Sequence, residues 1–99
     1  MTRQVVLRPA AEADLIAIWT YTVETWSVGQ AEAYLRDLDQ MFAMLSDFPE
    51  MARLRTEFTP PVRLHAFRKH VIIYLEDETH VDVIRVVHGR ANWAVMLAD

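Results

Sequence analysis

Apolar residues recur along the first half of the chain at intervals of three and four. Between Ala10 and Thr25, the positions Ala11, Leu15, Ile18, Trp19 and Thr22 share one face, Trp26 continues it, and Glu12 and Glu24 lie off it. That is the period of an amphipathic helix. Pro9 fits the first turn, where a missing N–H costs nothing, and Glu12 and Asp14 stand where the helix dipole favours negative charge. A second stripe, Ala31, Tyr34, Leu35, Leu38, Met41, Phe42, Leu45 and Phe48, predicts a helix from Val28 to about Phe48, closed by Pro49. Ser27 and Gln30 have capping-box spacing, in which the hydroxyl accepts the N–H three residues on. So short a connection between two amphipathic helices predicts an antiparallel hairpin.

Elsewhere the period is two. Val5, Val6 and Leu7 predict a short strand over Gln4–Arg8, stopped by Pro9. Glu50 to Pro61 has no clean period, and Pro60-Pro61 forces extended backbone, so this stretch reads as a loop with at most one helical turn. Val62, Leu64 and Ala66 then alternate with Arg63, His65 and Phe67. Arg68-Lys69-His70 makes a polar break, Val71–Leu75 a further strand, and Asp77-Glu78-Thr79 a tight turn. In His80–His88, Val81, Val83 and Val87 occupy one parity and Ile84 and Val86 the other, which predicts a central strand covered on both sides. Together these elements predict an α+β fold: an N-terminal strand, a two-helix antiparallel hairpin, and a three-stranded antiparallel meander, with the helices packed on one face of the sheet.

Composition narrows the function classes. At 99 residues, 53% hydrophobic, with two glycines and four prolines, the chain suits one domain over residues 1–99 that buries its own core. Zero cysteines remove disulfides, thiolate metal sites and cysteine nucleophiles, and fit a cytoplasmic protein. No apolar run reaches the ~18 to 20 residues of a membrane span, and the apolar stretch after Met1 is too short for a signal peptide. A net charge of −4 argues against direct, nonspecific nucleic-acid binding. The balance is uneven, −5 over residues 1–50 (three bases, eight acids) and +1 over 51–99 (seven bases, six acids). Nine of the ten bases are arginine, which suits planar recognition contacts.

Pro9-Ala10-Ala11-x-x-Asp14-Leu15-x-x-Ile18-x-x-Tyr21 on the first helix, Phe48-Pro49 after the second, and Ile84-Arg85-Val86-Val87-His88-Gly89-Arg90 on the last strand resemble the ParE branch of the ParE/RelE toxin superfamily, in order and over nearly the whole chain. The resemblance implies a type II toxin that poisons DNA gyrase by protein–protein binding. It also implies a hetero-oligomer in which a small ParD-like antitoxin neutralises the toxin through its C-terminal segment, with no cofactor. The RelE branch shares the fold but cuts messenger RNA on the ribosome, using strand lysines and arginines and a C-terminal tyrosine. Here Val62 and Leu64 fall where the lysines belong, Val71 where a strand arginine belongs, and Met96 replaces the tyrosine, leaving Arg90 as the matched residue; a one-residue slip would bring in Arg63 or His70. Phosphoryl transfer without cations forfeits several kcal/mol of barrier lowering, so a non-catalytic inhibitor is the expectation, with the ribonuclease or a non-toxic antitoxin-binding module as alternatives.

Seven residues are candidates for contact. Arg85, His88, Arg90 and Trp93 stand on the last strand and beyond it, and arginine and tryptophan dominate protein interfaces; they are the expected target-binding set. Arg85 has two readings: an ion pair with Asp14 or Glu12, or a recognition arginine on an open sheet face. His88 is equally readable as a structural histidine. Tyr21 lies off the first helix's stripe and Tyr34 at the edge of the second's, so with Trp26 they could rim a groove for an antitoxin helix, and Glu24 and Glu32 nearby would suit a basic segment. His65 and His70 flank the hairpin turn without a third ligand at metal-like spacing, and read as solvated hairpin residues. No catalytic or metal-binding residues are assigned.

Overall fold

Arg8 is extended backbone and Pro9 opens a helix, so the change from period two to period 3.6 falls where proline places it. In the computed structural model, which describes residues 2–92, the order is β1 (Gln4–Leu7), α1 (Pro9–Thr25), α2 (Val28–Asp47), a 3-10 turn (Pro49–Met51), β2 (Leu54–Arg55), β3 (Val62–Phe67), β4 (His70–Glu76) and β5 (His80–His88). Ser27 caps α2, its Oγ accepting the Gln30 N–H at 3.0 Å. The five strands form one mixed sheet in the order β1-β5-β4-β3-β2, with β1 parallel to β5 and every other pair antiparallel.

The sheet has one strand more than the four predicted, the N-terminal strand and the three of the meander. β2 lies within the stretch read as a loop: Leu54 and Arg55 pair with Arg63 and Val62. Two residues are too few to display a period, so the pairing is invisible in sequence. β5 is interior, as its two apolar parities require. The parities themselves change partway. Ile73 opposes Arg85 but Tyr74 opposes Val83, so Ile84 is a bulge. Across it, Val81, Val83 and Val86 share the helix-side cluster, whereas Ile84 and Val87 belong to the opposite face. A strict count of two had grouped Val87 with Val81 and Val83.

The helices cover one face of the sheet. Ala11 and Ile18 of α1 and Leu38, Phe42 and Leu45 of α2 cluster with Ile72, Tyr74, Val81, Val83 and Val86. The other face gathers Val62, Val71, Ile73 and Val87 under Phe58 and Ala91. Tyr74 is fully buried, and its hydroxyl donates to the Pro49 carbonyl at 2.6 Å, satisfying both groups as the chain leaves α2. Ser46 likewise donates to the Arg3 carbonyl, fastening β1 to the end of α2. Three aromatic residues of the predicted stripes are outside the core: Trp19, Trp26 and Phe48 are all exposed. Trp26 and Phe48 fall one residue beyond their helices, where helical phase no longer sets direction.

Candidate functional site

β1 pairs with β5 only as far as Val83, so among the described residues the outer edge of β5 from Ile84 onward has no strand beside it. Asp14 of α1 fills that position. Its carboxylate accepts the Val86 N–H at 2.9 Å and two bonds from Arg85, Nε at 2.7 Å and a terminal nitrogen at 2.9 Å. These bonds to Asp14 hold the Arg85 guanidinium protonated beyond its ordinary range. Of the two readings of Arg85, the geometry holds the ion pair, with Asp14 rather than Glu12 as partner. Asp14 also sits past the first turn of α1, which leaves Glu12 as the acid placed for the helix dipole.

Beyond this clamp the C-terminal half of α1 and the start of α2 diverge from the ends of β4 and β5, leaving a groove of about 830 Å³. Tyr21, Trp26 and Tyr34 line it from the helices; Arg68, Lys69, His70, Val86 and His88 line it from the sheet. Tyr21 is 65% and Trp26 67% exposed, a large apolar surface to leave in water without a partner. Tyr34 is half-buried. Its hydroxyl meets His70 Nδ1 at 2.5 Å, its ring packs edge-on against His70 and Phe67, and His70 stands edge-on to His88 with centroids 5.9 Å apart.

The turn joining β3 to β4 sets the basic side of the groove. Arg68 adopts φ 54°, a left-handed conformation uncommon for a residue with a side chain. Its guanidinium lies 5.2 Å from the Tyr34 ring and 5.1 Å from that of Phe67, and bonds Asp37 at 2.6 Å, contacts that offset the backbone cost. Gly89 donates its N–H to the Lys69 carbonyl at 2.8 Å, tying the turn to the end of β5. Gly89 has no positive φ, and a Cβ there would meet that carbonyl at 3.4 Å, an ordinary contact, so the exit from the strand does not require glycine. His88 Nδ1 accepts the Arg90 N–H at 3.1 Å.

Burial pushes the His70 imidazole below the ordinary histidine range, His88 adds to that shift, and Asp14 opposes it. Burial raises the Tyr34 phenol, against the pull of Arg68. Both groups are therefore neutral near pH 7, with the phenol donating to Nδ1. An unfolded chain protonates its histidines near pH 6.5, so just below about pH 6.5 the unfolded state binds more protons than the folded one and stability rises with pH. The contribution is complete above about pH 7 and is lost on acidification. The His70 resonances should titrate below about 6.5, and the fall in thermal midpoint between about pH 7.5 and 5.5 should shrink in His70→Gln. A His70 midpoint above 6.5 would contradict this.

Of the sequence-predicted residues, Tyr21, Trp26 and Tyr34 come together in one groove, and His88 lines its opposite wall. Arg90 is exposed beside His88, and Trp93 lies outside the described residues, as does Met96. Glu24 and Glu32 are exposed but do not line the groove. His70 corrects the solvated-hairpin reading: it is the first residue of β4, half-buried and bonded to Tyr34. The signal was its parity, shared with Ile72 and Tyr74 of the core, which a strand begun one residue earlier would have shown. Val62 and Val71 are buried and Leu64 packs with them on the face opposite the helices, while Arg63 is held by Glu76 and the Ala52 carbonyl. Among the described residues no helix is long and apolar enough to cross a membrane.

Residues 5–93 match the family model described as the ParE toxin of type II toxin-antitoxin system, parDE. The chain is 36% identical over 93 residues to Toxin ParE1 of Mycobacterium tuberculosis, covering 93% of this chain and 95% of that protein. It is 35% identical over 82 residues to Toxin ParE1 of Caulobacter vibrioides, covering 83% and 84%. A chain of the solved structure titled "Chromosomal ParDE TA system from P. aeruginosa" superposes with a TM-score of 0.75 over 88% of this chain and 96% of that one, at 17% identity, a likeness of fold.

Proposed function

The chain belongs to the ParE toxin family of type II toxin–antitoxin systems, and from that premise we propose that it acts in the cytoplasm as a single toxin domain that inhibits DNA gyrase by docking against it. In this reading it breaks no covalent bond, and a ParD-like antitoxin silences it by laying a helix in the groove. The family match carries the toxin assignment. What supports docking over RNA cleavage is the apolar packing of Val62, Leu64 and Val71, positions where the nuclease branch would need cations.

The groove reading draws on Tyr21 and Trp26, two aromatic rings left in water on the wall of a concave surface, and on the half-buried Tyr34 between them and the sheet. His88 belongs to the proposed target surface and also lines the groove. An occupant of the groove would therefore cover part of the target face, which gives neutralisation by direct competition. Purified gyrase tests the target: supercoiling should stop when the protein is added and resume when the antitoxin is added in excess. Cleavage of ribosome-bound transcripts with gyrase turnover untouched would overturn the reading. Trp26→Ala should weaken antitoxin binding about tenfold, a modest interface aromatic, and leave gyrase inhibition intact. Unchanged antitoxin affinity would remove Trp26 from that contact.

A further inference from the structure

The charges around the groove do not balance. Among the described residues Asp14 is its one lining carboxylate, and Arg85 and the Val86 N–H already occupy that group. On the opposite wall Arg68 is paired with Asp37, but the Lys69 ammonium is exposed and has no partner among the described residues. Beside it His70 and His88 stand 5.9 Å apart. Both have Nδ1 occupied, by the Tyr34 hydroxyl and the Arg90 N–H respectively, which leaves each Nε2–H a donor without a partner among the described residues. Three donors, one of them formally charged, thus line the wall of the groove opposite Tyr21 and Trp26.

From this we infer that Lys69, His70 and His88 form a carboxylate subsite, which takes an acidic side chain of the antitoxin segment while apolar residues of the same segment pack on Tyr21 and Trp26. The inference rests on the proposed occupation of the groove by the antitoxin and adds the chemistry of its occupant. It reverses the expectation of a basic segment, which depended on Glu24 and Glu32. A bound carboxylate would favour the protonated His70 imidazole, so the complex should tighten as pH falls from about 8 to 6. Among the described residues, the other charged or titratable groups around the two rings are Asp14 and Tyr21 from α1, Tyr34 from α2, Arg68 from the turn and Arg90 after β5. Asp14 and Arg68 are already paired, and the Tyr34 phenol is neutral in this window.

The test uses the full chain and its cognate antitoxin, with affinity measured by titration calorimetry at pH 8 and pH 6. Lys69→Glu should weaken binding about tenfold or more, as loss of a complementary interface charge does, and an antitoxin carrying lysine in place of the facing acid should restore it. His70→Gln with His88→Gln should abolish the gain in affinity at pH 6. Ala17→Trp, which fills the groove from an exposed position of α1, should prevent binding regardless of pH. If Ala17→Trp weakens binding while Lys69→Glu does not, the groove stands and the subsite is wrong. If Ala17→Trp binds like the wild type, the antitoxin does not use the groove and both readings fall. If Lys69→Glu keeps its antitoxin affinity but loses gyrase inhibition, the corner serves the target and the inference is overturned.

Discussion

Leu38→Ala lowers the unfolding free energy by roughly 2 to 5 kcal/mol, a sizeable share of the ~5 to 15 kcal/mol that holds a domain of this size together. Leu38 has no exposed surface and sits mid-helix in the cluster that joins α2 to Ile72, Tyr74 and Val81. Truncation removes its transfer energy and leaves a cavity that the sheet cannot close, because β4 is fixed by neighbours on both edges. Urea unfolding should show a midpoint lower by about 1 M or more, with the slope unchanged. Phe48→Ala is the control. Phe48 continues the same sequence stripe but is 64% exposed, so its truncation should cost within about 0.5 kcal/mol. Equal losses at the two positions would contradict the helix–sheet packing.

That contrast also shows how far the residues alone could be read. Leu38 and Phe48 look equivalent in a count of three and four, and only the end of the helix at Asp47 separates them. Periodicity reports direction within an element and nothing past its boundary. The two helices were legible because seventeen and twenty residues repeat the signal many times, and Ser27 with Pro9 marked where each begins. β2 was not, because two residues contain no repeat. The bulge at Ile84 escaped for a related reason: one inserted residue shifts every later side chain to the other face, and the sequence carries no mark of it.

The site divides the same way. Tyr21 and Tyr34 are readable as groove residues because one lies off its stripe and the other at the edge of its own, where an aromatic ring needs another partner, whereas Trp26 continues its stripe and joins them only by its nearness in the chain. Arg85 was readable only as a choice between two environments. What decides it is the length of β1, which stops at Leu7 and leaves the Val86 N–H to be satisfied by Asp14. Arg85 then completes the charge balance of a carboxylate already needed by the backbone. Lys69 and His70 were hidden inside a polar break that looked like a solvated turn, although the turn is only the two residues between β3 and β4.

Arg90→Ala should leave the fold intact and weaken gyrase inhibition about 30-fold or more, the scale of an interface arginine that dominates its contact. Arg90 is exposed, and among the described residues its guanidinium has no partner, so truncation removes no packing. Its structural contribution is the backbone N–H that His88 Nδ1 accepts, and alanine keeps that bond. The substitution therefore separates recognition from folding in a way that Arg85→Ala cannot, since the latter strands Asp14 beneath the edge of β5. Cells expressing the wild-type protein without its antitoxin should show a DNA-damage response with intact transcripts, and Arg90→Ala should blunt that response while its thermal midpoint stays within a few degrees of the wild type. Unfolding of the variant would make Arg90 a structural residue. Unchanged inhibition by a folded variant would place the gyrase contact elsewhere on the surface.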